Sequence, residues 1–312
     1  MSDLDTIIEM LSYRRPAGSA TEAEFIGRFI LPLGASRDPF GNHVVQIGEA
    51  PSILWSSHTD SVHTTDGRQH PLFDGTFVHM SKRSKSNCLG SDDAAGVWIM
   101  TEMIKAKVPG LYVFHFAEEI GCVGSRAIAT SRRHVLSGIK AAVAFDRRGN
   151  NSVITHQGSR CCSDAFGDSL KAQLPNRFRL DPTGVATDTK MYMSIVPECT
   201  NLSVGYYSEH YPDEKLDAHH LFELRDHMVR IDASRFVIER DPTSKPALSI
   251  SDLIRTIRSR PQIEDLIDEY PYEVSEFIRA RGFTYSTVKA FIDEMEVFEH
   301  ELEDEDDDRL TA

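Results

Sequence analysis

Four short apolar runs separated by helix-like stretches set the tightest limit on what this chain can fold into. Residues 52–57 (SILWSS), 111–116 (LYVFHF), 139–145 (IKAAVAF) and 200–204 (TNLSV) each read as a strand, while 94–107 and 125–131 read as helices. Short apolar strands that alternate with helices need cover on both faces. The pattern therefore predicts an α/β fold, a mostly parallel central sheet sandwiched by helices. A further strand is expected over His43–Ile47. Ahead of it, Ile7, Ile8 and Leu11 recur at helical spacing behind Ser2 or Asp3 as cap. Thr21, with Glu24 three residues on and Phe25 and Ile26 behind, predicts a second helix start in capping-box form.

Proline and serine punctuate the chain at 241–246 (DPTSKP), where a boundary is expected. The expected organisation is a catalytic domain over 1–240, a C-terminal helical extension over 247–300 and an acidic, disordered tail over 301–312. The extension reads as helices at 249–259, 264–270, 273–280 and 286–300. The 312 residues carry 48 acidic and 34 basic side chains, a net charge of -14. Such an excess disfavours a nucleic-acid partner, since phosphate binding needs a basic surface. No apolar run approaches the roughly 20 residues of a membrane span, and residues 1–7 lack the pattern of a secretory leader. Five cysteines, an odd number, predict reduced thiols in the cytoplasm, and without a Cys-x-x-Cys pair a structural zinc knuckle is not expected.

Metal-type side chains follow one expected strand after another. His58-Thr59-Asp60 follows the first, Glu118-Glu119 the second and Asp146 the third; His210 comes shortly after the fourth. Asp92-Asp93 stands between Gly90 and a helix start. In open α/β sheets ligands collect at the carboxyl ends of strands, so this recurrence points to one site. Strand alternation puts His58 and Asp60 on the same side, where Asp60 can fix which imidazole nitrogen meets a metal. Asp92 has two oxygens with which to bridge two ions. Of the adjacent glutamates, one can ligate while the other takes a proton from water. The simpler readings are that Asp92-Asp93 merely caps its helix, that Glu118-Glu119 is a solvated face, and that Arg147-Arg148 turns to solvent or to acids. A sharper reading of the arginines is capture of a substrate carboxylate. His63, His70, His79, His115 and His156 are expected to be structural or exposed.

Taken together, HTDSV (58–62), LGSDDAAGV (89–97), FAEEIGCVGSR (116–126), FDRRG (145–149) and TNLSVGYYSEH (200–210) resemble the di-zinc exopeptidase superfamily. That group includes leucyl-type aminopeptidases, peptidase T, acetylornithine-deacetylase-like amidohydrolases and glutaminyl cyclase. The resemblance implies metal ligands at His58, Asp92 (bridging), Glu119, Asp146 and His210, with Glu118 as general base and Asp60 orienting His58. It implies two divalent ions, zinc in the first place, with manganese or cobalt fitting the same donors. The substrate implied is a small peptide or acylated amino acid whose amide bond is hydrolysed. The segment 184–189 (GVATDT) resembles a loop beside the site and puts Asp188 near substrate. Some relatives carry a dimerisation domain between the fourth and fifth ligands. Only 63 residues separate Asp146 from His210, so no such insertion is expected here. The oligomeric state stays open, a homo-oligomer included. The alternatives on the same fold are glutaminyl-cyclase-like aminoacyl transfer, whose relatives use one metal, and a non-catalytic binding module.

Overall fold

The apolar runs assemble into an eight-stranded sheet in the computed structural model, which describes residues 2–243. Its strands are β1 (Ser36–Arg37), β2 (His43–Ile47), β3 (Ile53–His58), β4 (Gly110–His115), β5 (Ala141–Arg147), β6 (Ser152–Ile154), β7 (Arg179–Asp181) and β8 (Glu198–Ser203). They lie in the order β7-β6-β8-β5-β3-β4-β2-β1. The central strands β8, β5, β3 and β4 run parallel, as do β6 and β7. β1 and β2 extend one edge antiparallel, and β6 meets β8 antiparallel. Every residue of β3 and β4 is buried, as a sheet covered on both faces requires.

Six helices flank the sheet: α1 (Asp3–Leu11), α2 (Ala20–Phe29), α3 (Ser91–Lys105), α4 (Val123–Ser131), α5 (Asp164–Lys171) and α6 (Ala218–Met228). Alternation along the strands sorts their side chains into two cores. Ile53, Trp55, Tyr112, Phe114 and Phe145 pack with Met10 of α1, Trp98 of α3 and Leu221 of α6. Leu54, Leu111, Val113 and Ala142 pack with Ile128 of α4 and Tyr192. The expected sandwich is thus present. α3 lies unusually close to β5: a Cβ at Gly96 would stand 2.4 Å from the Phe145 carbonyl oxygen.

Local signals were partly misleading. Of the two caps expected for α1, Ser2 is the one used, and with Asp5 it forms a reciprocal capping box. α2, however, starts two residues earlier than Thr21 indicated: Ser19 is the cap and accepts from the Glu22 N–H. Thr21 is committed instead to tertiary structure, donating to the Arg14 carbonyl and accepting from the Gly67 N–H. A second, four-stranded antiparallel sheet joins Leu72–Phe73, Phe77–His79, Tyr206–Tyr207 and Lys215–Asp217. Strands of two or three residues are too short to show a period, and none of these was anticipated. The helices expected over 249–300 and the acidic tail lie outside the described residues. Among those residues no helix is long and apolar enough to cross a membrane. All five cysteines are free and buried.

Candidate metal centre

Parallel strands in register deliver their carboxyl ends to one edge, and the site is built there. His58 closes β3 opposite His115, which closes β4. The chain leaving β4 turns through Ala117 into Glu118 and Glu119, and Asp146 is the penultimate residue of β5. Asp92 comes from the first turn of α3, where Asp92 and Asp93 depart from helical angles and share a cis peptide bond. His210 follows the Tyr206–Tyr207 strand. Ala117, Cys122 and His210 take left-handed φ values of 57°, 54° and 71°. These are uncommon for residues with a Cβ, and such backbone gathers where side chains must be aimed.

The result is two donor groups that share one carboxylate. His58, Asp92 and Asp146 form one, and Asp92, Glu119 and His210 the other, each offering ligand atoms within 4.8 Å of one another. His58 Nε2 lies 3.0 Å from Asp92 Oδ1 and 3.6 Å from Asp146 Oδ1. His210 Nε2 lies 3.1 Å from Asp92 Oδ2 and 3.2 Å from Glu119 Oε2. Each oxygen of Asp92 therefore serves a different group.

A second layer fixes these ligands. Asp60, fully buried, stands with Oδ1 3.3 Å from His58 Nδ1, close enough to pair though poorly aligned for a hydrogen bond. It also accepts from the Glu118 N–H at 3.0 Å and the Glu119 N–H at 3.2 Å. Asp93 accepts from the His58 N–H and from Gly96 in α3, so it ties a strand end to a helix start. Asp146 is gripped from three directions. Asn201 exchanges hydrogen bonds with its backbone, while the Thr187 and Tyr206 hydroxyls donate to its carboxylate.

The electrostatics call for cations. Burial pushes Glu118 up to about 9, with Asp146, Asp188 and Asp92 adding to the push and His58 opposing it. Burial and Asp92 raise Glu119 to about 7. His210, drawn by Asp92 and Glu119, rises to about 11. Against the opposing effect of burial, Asp146, Asp60 and Asp92 raise His58, the second imidazole beside these carboxylates. Glu119 Oε1, moreover, is buried and accepts no hydrogen bond from any described residue. Imidazole and carboxylate donors with one oxygen left over fit divalent ions.

All the sequence-nominated residues, His58, Asp60, Asp92, Glu118, Glu119, Asp146 and His210, are brought together. The 184–189 loop also reaches the site, but through Thr187. Asp188 itself is buried, burial raises it to about 8, and the Ser125 hydroxyl is near but not aligned for a good hydrogen bond to it. The two arginines diverge: Arg147 turns to Thr183 and Asp181, while Arg148 remains largely exposed with Nη1 3.3 Å from Glu209. His63 and His115 are buried and His70 is exposed. Asn201, Thr187, Tyr206, Arg15 and Glu214 were missed. Thr187 lies in the 184–189 loop and Asn201 and Tyr206 inside the 200–210 string, but their partners are distant in sequence and nothing local marked them out.

The model of Peptidase family M28 matches residues 42–175, a span that holds every nominated residue except His210 and Asp188. Among solved structures, the chain is similar to an aminopeptidase PepT from Bacillus cereus, at 14% identity and a TM-score of 0.56 over 73% of this chain and 96% of that one. It is similar to a tripeptidase from Staphylococcus aureus, at 14% identity and a TM-score of 0.59 over 73% and 96%. It also resembles the Pyrococcus horikoshii TET1 peptidase, at 15% identity and a TM-score of 0.56 over 73% and 98%. That peptidase is described as able to assemble into a tetrahedron or a large octahedral shell. At these identities the likeness is one of fold. No curated protein matches the chain.

Proposed function

We propose that this chain, which is similar to Peptidase family M28 over residues 42–175 and to aminopeptidases in fold, is a metal-dependent peptidase of the di-zinc exopeptidase superfamily that uses two ions to hydrolyse an amide bond in a small peptide or acylated amino acid. His58, Asp92 and Asp146 would hold one ion, and Asp92, Glu119 and His210 the other. One observation carries this reading: two complete donor groups use opposite oxygens of the same aspartate. A carboxylate so placed could serve two ions at once. Zinc suits the donor set best, and manganese or cobalt fits it too.

Bound there, divalent ions supply Lewis acidity, which polarises a scissile carbonyl and makes water acidic near neutral pH. The protein supplies proton handling and orientation. Glu118 belongs to neither donor group but is near enough to His58, Asp146 and Asp92 to feel their charges; it would take the proton of the attacking water and pass it to the leaving amine. Its position is set from behind, because Asp60 accepts both its own N–H and that of Glu119. The same carboxylate faces His58 Nδ1 and so favours the tautomer that presents Nε2 to the site. Five buried thiols with no disulfide among them favour a reducing compartment such as the cytoplasm.

The test is turnover of a mixed panel of dipeptides, aminoacyl anilides and N-acyl amino acids by the zinc-loaded chain. Turnover should vanish with chelator, and Glu118→Gln should lower it by about 10²–10⁴-fold while both ions still bind. Survival of turnover in Glu118→Gln would remove that residue as base. Activity that resists complete metal removal would sink the metal reading. Metal counting separates hydrolysis from aminoacyl cyclisation on this fold, for which a single ion is expected.

A further inference from the structure

The turn that delivers Asp92 has no cap of its own. α3 begins after Gly90, which has a left-handed φ of 78° and no side chain to accept the free N–H groups of a helix start. Those groups converge instead on a carboxylate far along the chain. Glu214 Oε2 accepts from the Leu89 N–H at 2.8 Å and the Gly90 N–H at 2.9 Å. Its Oε1 accepts from the Ser91 N–H at 2.7 Å, from the Ser91 hydroxyl and from the Asp92 N–H at 3.3 Å. Glu214 is 1% exposed, so these bonds are shielded from water. Arg15, fully buried, holds the same turn from the other side by donating to the Gly90 carbonyl at 2.9 Å.

Glu214 also stands four residues after His210. One side chain thus links the backbone of Asp92 to the segment that presents His210, and these two ligands face each other at 3.1 Å. His58 and Asp146, by contrast, are carried on β3 and β5 and braced by Asp60, Asn201, Thr187 and Tyr206.

We propose that Glu214 is a positioning residue that sets Asp92 against His210, so that the group Asp92, Glu119 and His210 holds its ion. This rests on the two-ion reading above and adds to it a residue that contacts neither ion nor substrate. Replacing Glu214 with glutamine keeps its shape but turns an NH2 towards N–H donors, so part of the turn loses its acceptor. Asp92 serves both groups, so both ions should weaken, and the His210 ion more, because Glu214 also anchors the segment that presents His210.

The experiment is zinc titration of the full chain against a competing chromophoric chelator, for wild type, Glu214→Gln, Ser91→Ala and Glu198→Gln. Glu198 is a matched lesion: fully buried, it accepts from the Ser163 N–H and hydroxyl and from the Glu239 and Arg240 N–H groups. It lies at the start of β8, the opposite end of the sheet from the site. In Glu214→Gln one ion should weaken roughly 10–100-fold and the other by a clearly smaller factor. Ser91→Ala, which removes only a hydroxyl donor, should weaken the same ion by a smaller factor and carries the test should Glu214→Gln not fold. Glu198→Gln should lower the melting temperature and leave both affinities in place. Two unchanged affinities in Glu214→Gln would overturn the proposal, as would equal weakening of both ions. A wild-type chain that binds one ion would refute the two-ion reading instead; Glu214 would then stand or fall by whether glutamine weakens that ion.

Discussion

Asp60→Asn should disarm the site without touching a ligand. The aspartate accepts two backbone N–H groups, those of Glu118 and Glu119, and faces His58 Nδ1, all in a fully buried position. Asparagine has the same shape but one acceptor oxygen, and its NH2 must point at one of these donors. A hydrogen bond to a charged acceptor contributes about 1.5–3 kcal/mol, and a buried donor left without a partner costs about 1–3 kcal/mol. Part of that loss will be taken up by reorientation, so about 2–3 kcal/mol should appear as looser ligands. Divided between His58 and Glu119 this corresponds to roughly 5–13-fold in the affinity of each ion, at the low end of what losing a partner of a metal ligand usually costs. The rate should fall further, because the Glu118 backbone is released as well and a base displaced by about 1 Å costs on the order of 10²-fold. The assay has two parts: chelator competition for affinity, and kcat at saturating zinc, where restored occupancy should not restore the rate. An Asp60→Asn enzyme with wild-type affinity and a kcat within about threefold of wild type would refute the argument that Asp60 organises both His58 and Glu118.

Two other expectations come from charges around the site. Arg148 is exposed with Nη1 3.3 Å from Glu209; capture of a substrate carboxylate by this side chain predicts that Arg148→Ala raises KM about tenfold for unblocked peptides and leaves their amides unchanged, and equal effects on both would exclude this role. His63 is buried, and desolvation together with the Arg15 guanidinium depresses it to about 3, so its contribution to stability is complete above the unfolded value near 6.5 and is lost as pH falls from there towards 3. Denaturant melts of the metal-free chain should therefore show His63→Gln losing about 1.5 kcal/mol less than wild type between pH 6.5 and 5, and identical pH slopes would show that His63 does not charge on unfolding.

The two layers of the site differ in how far they could be read in advance, and the reason is geometric. A parallel strand ends where the site begins, so the residues that follow it in sequence are the residues that line it in space. His58, Glu118, Glu119 and Asp146 are legible for that reason, each within a few residues of an apolar run. The residues that hold them obey no such rule. Asp146 is gripped by Thr187, Asn201 and Tyr206, which come from a loop, a neighbouring strand and the second sheet. Glu214 caps a helix 122 positions away, and a bond across that separation leaves no period in the sequence. Thr21 shows the converse error: its local signal for a cap was good, but the tertiary demand of Arg14 and Gly67 on its hydroxyl left Ser19 to do the capping. Asp93 is an intermediate case. Its place beside Asp92 suggested a helix cap, and it does accept from Gly96, yet its other oxygen holds the His58 N–H and so joins α3 to β3. Ligand identity is thus written locally at strand ends, whereas ligand geometry is written in pairs of residues far apart. A relative that keeps the five ligands but lacks the equivalents of Asp60, Thr187, Tyr206 and Glu214 should accordingly bind its ions loosely, for want of anything to hold the donors still.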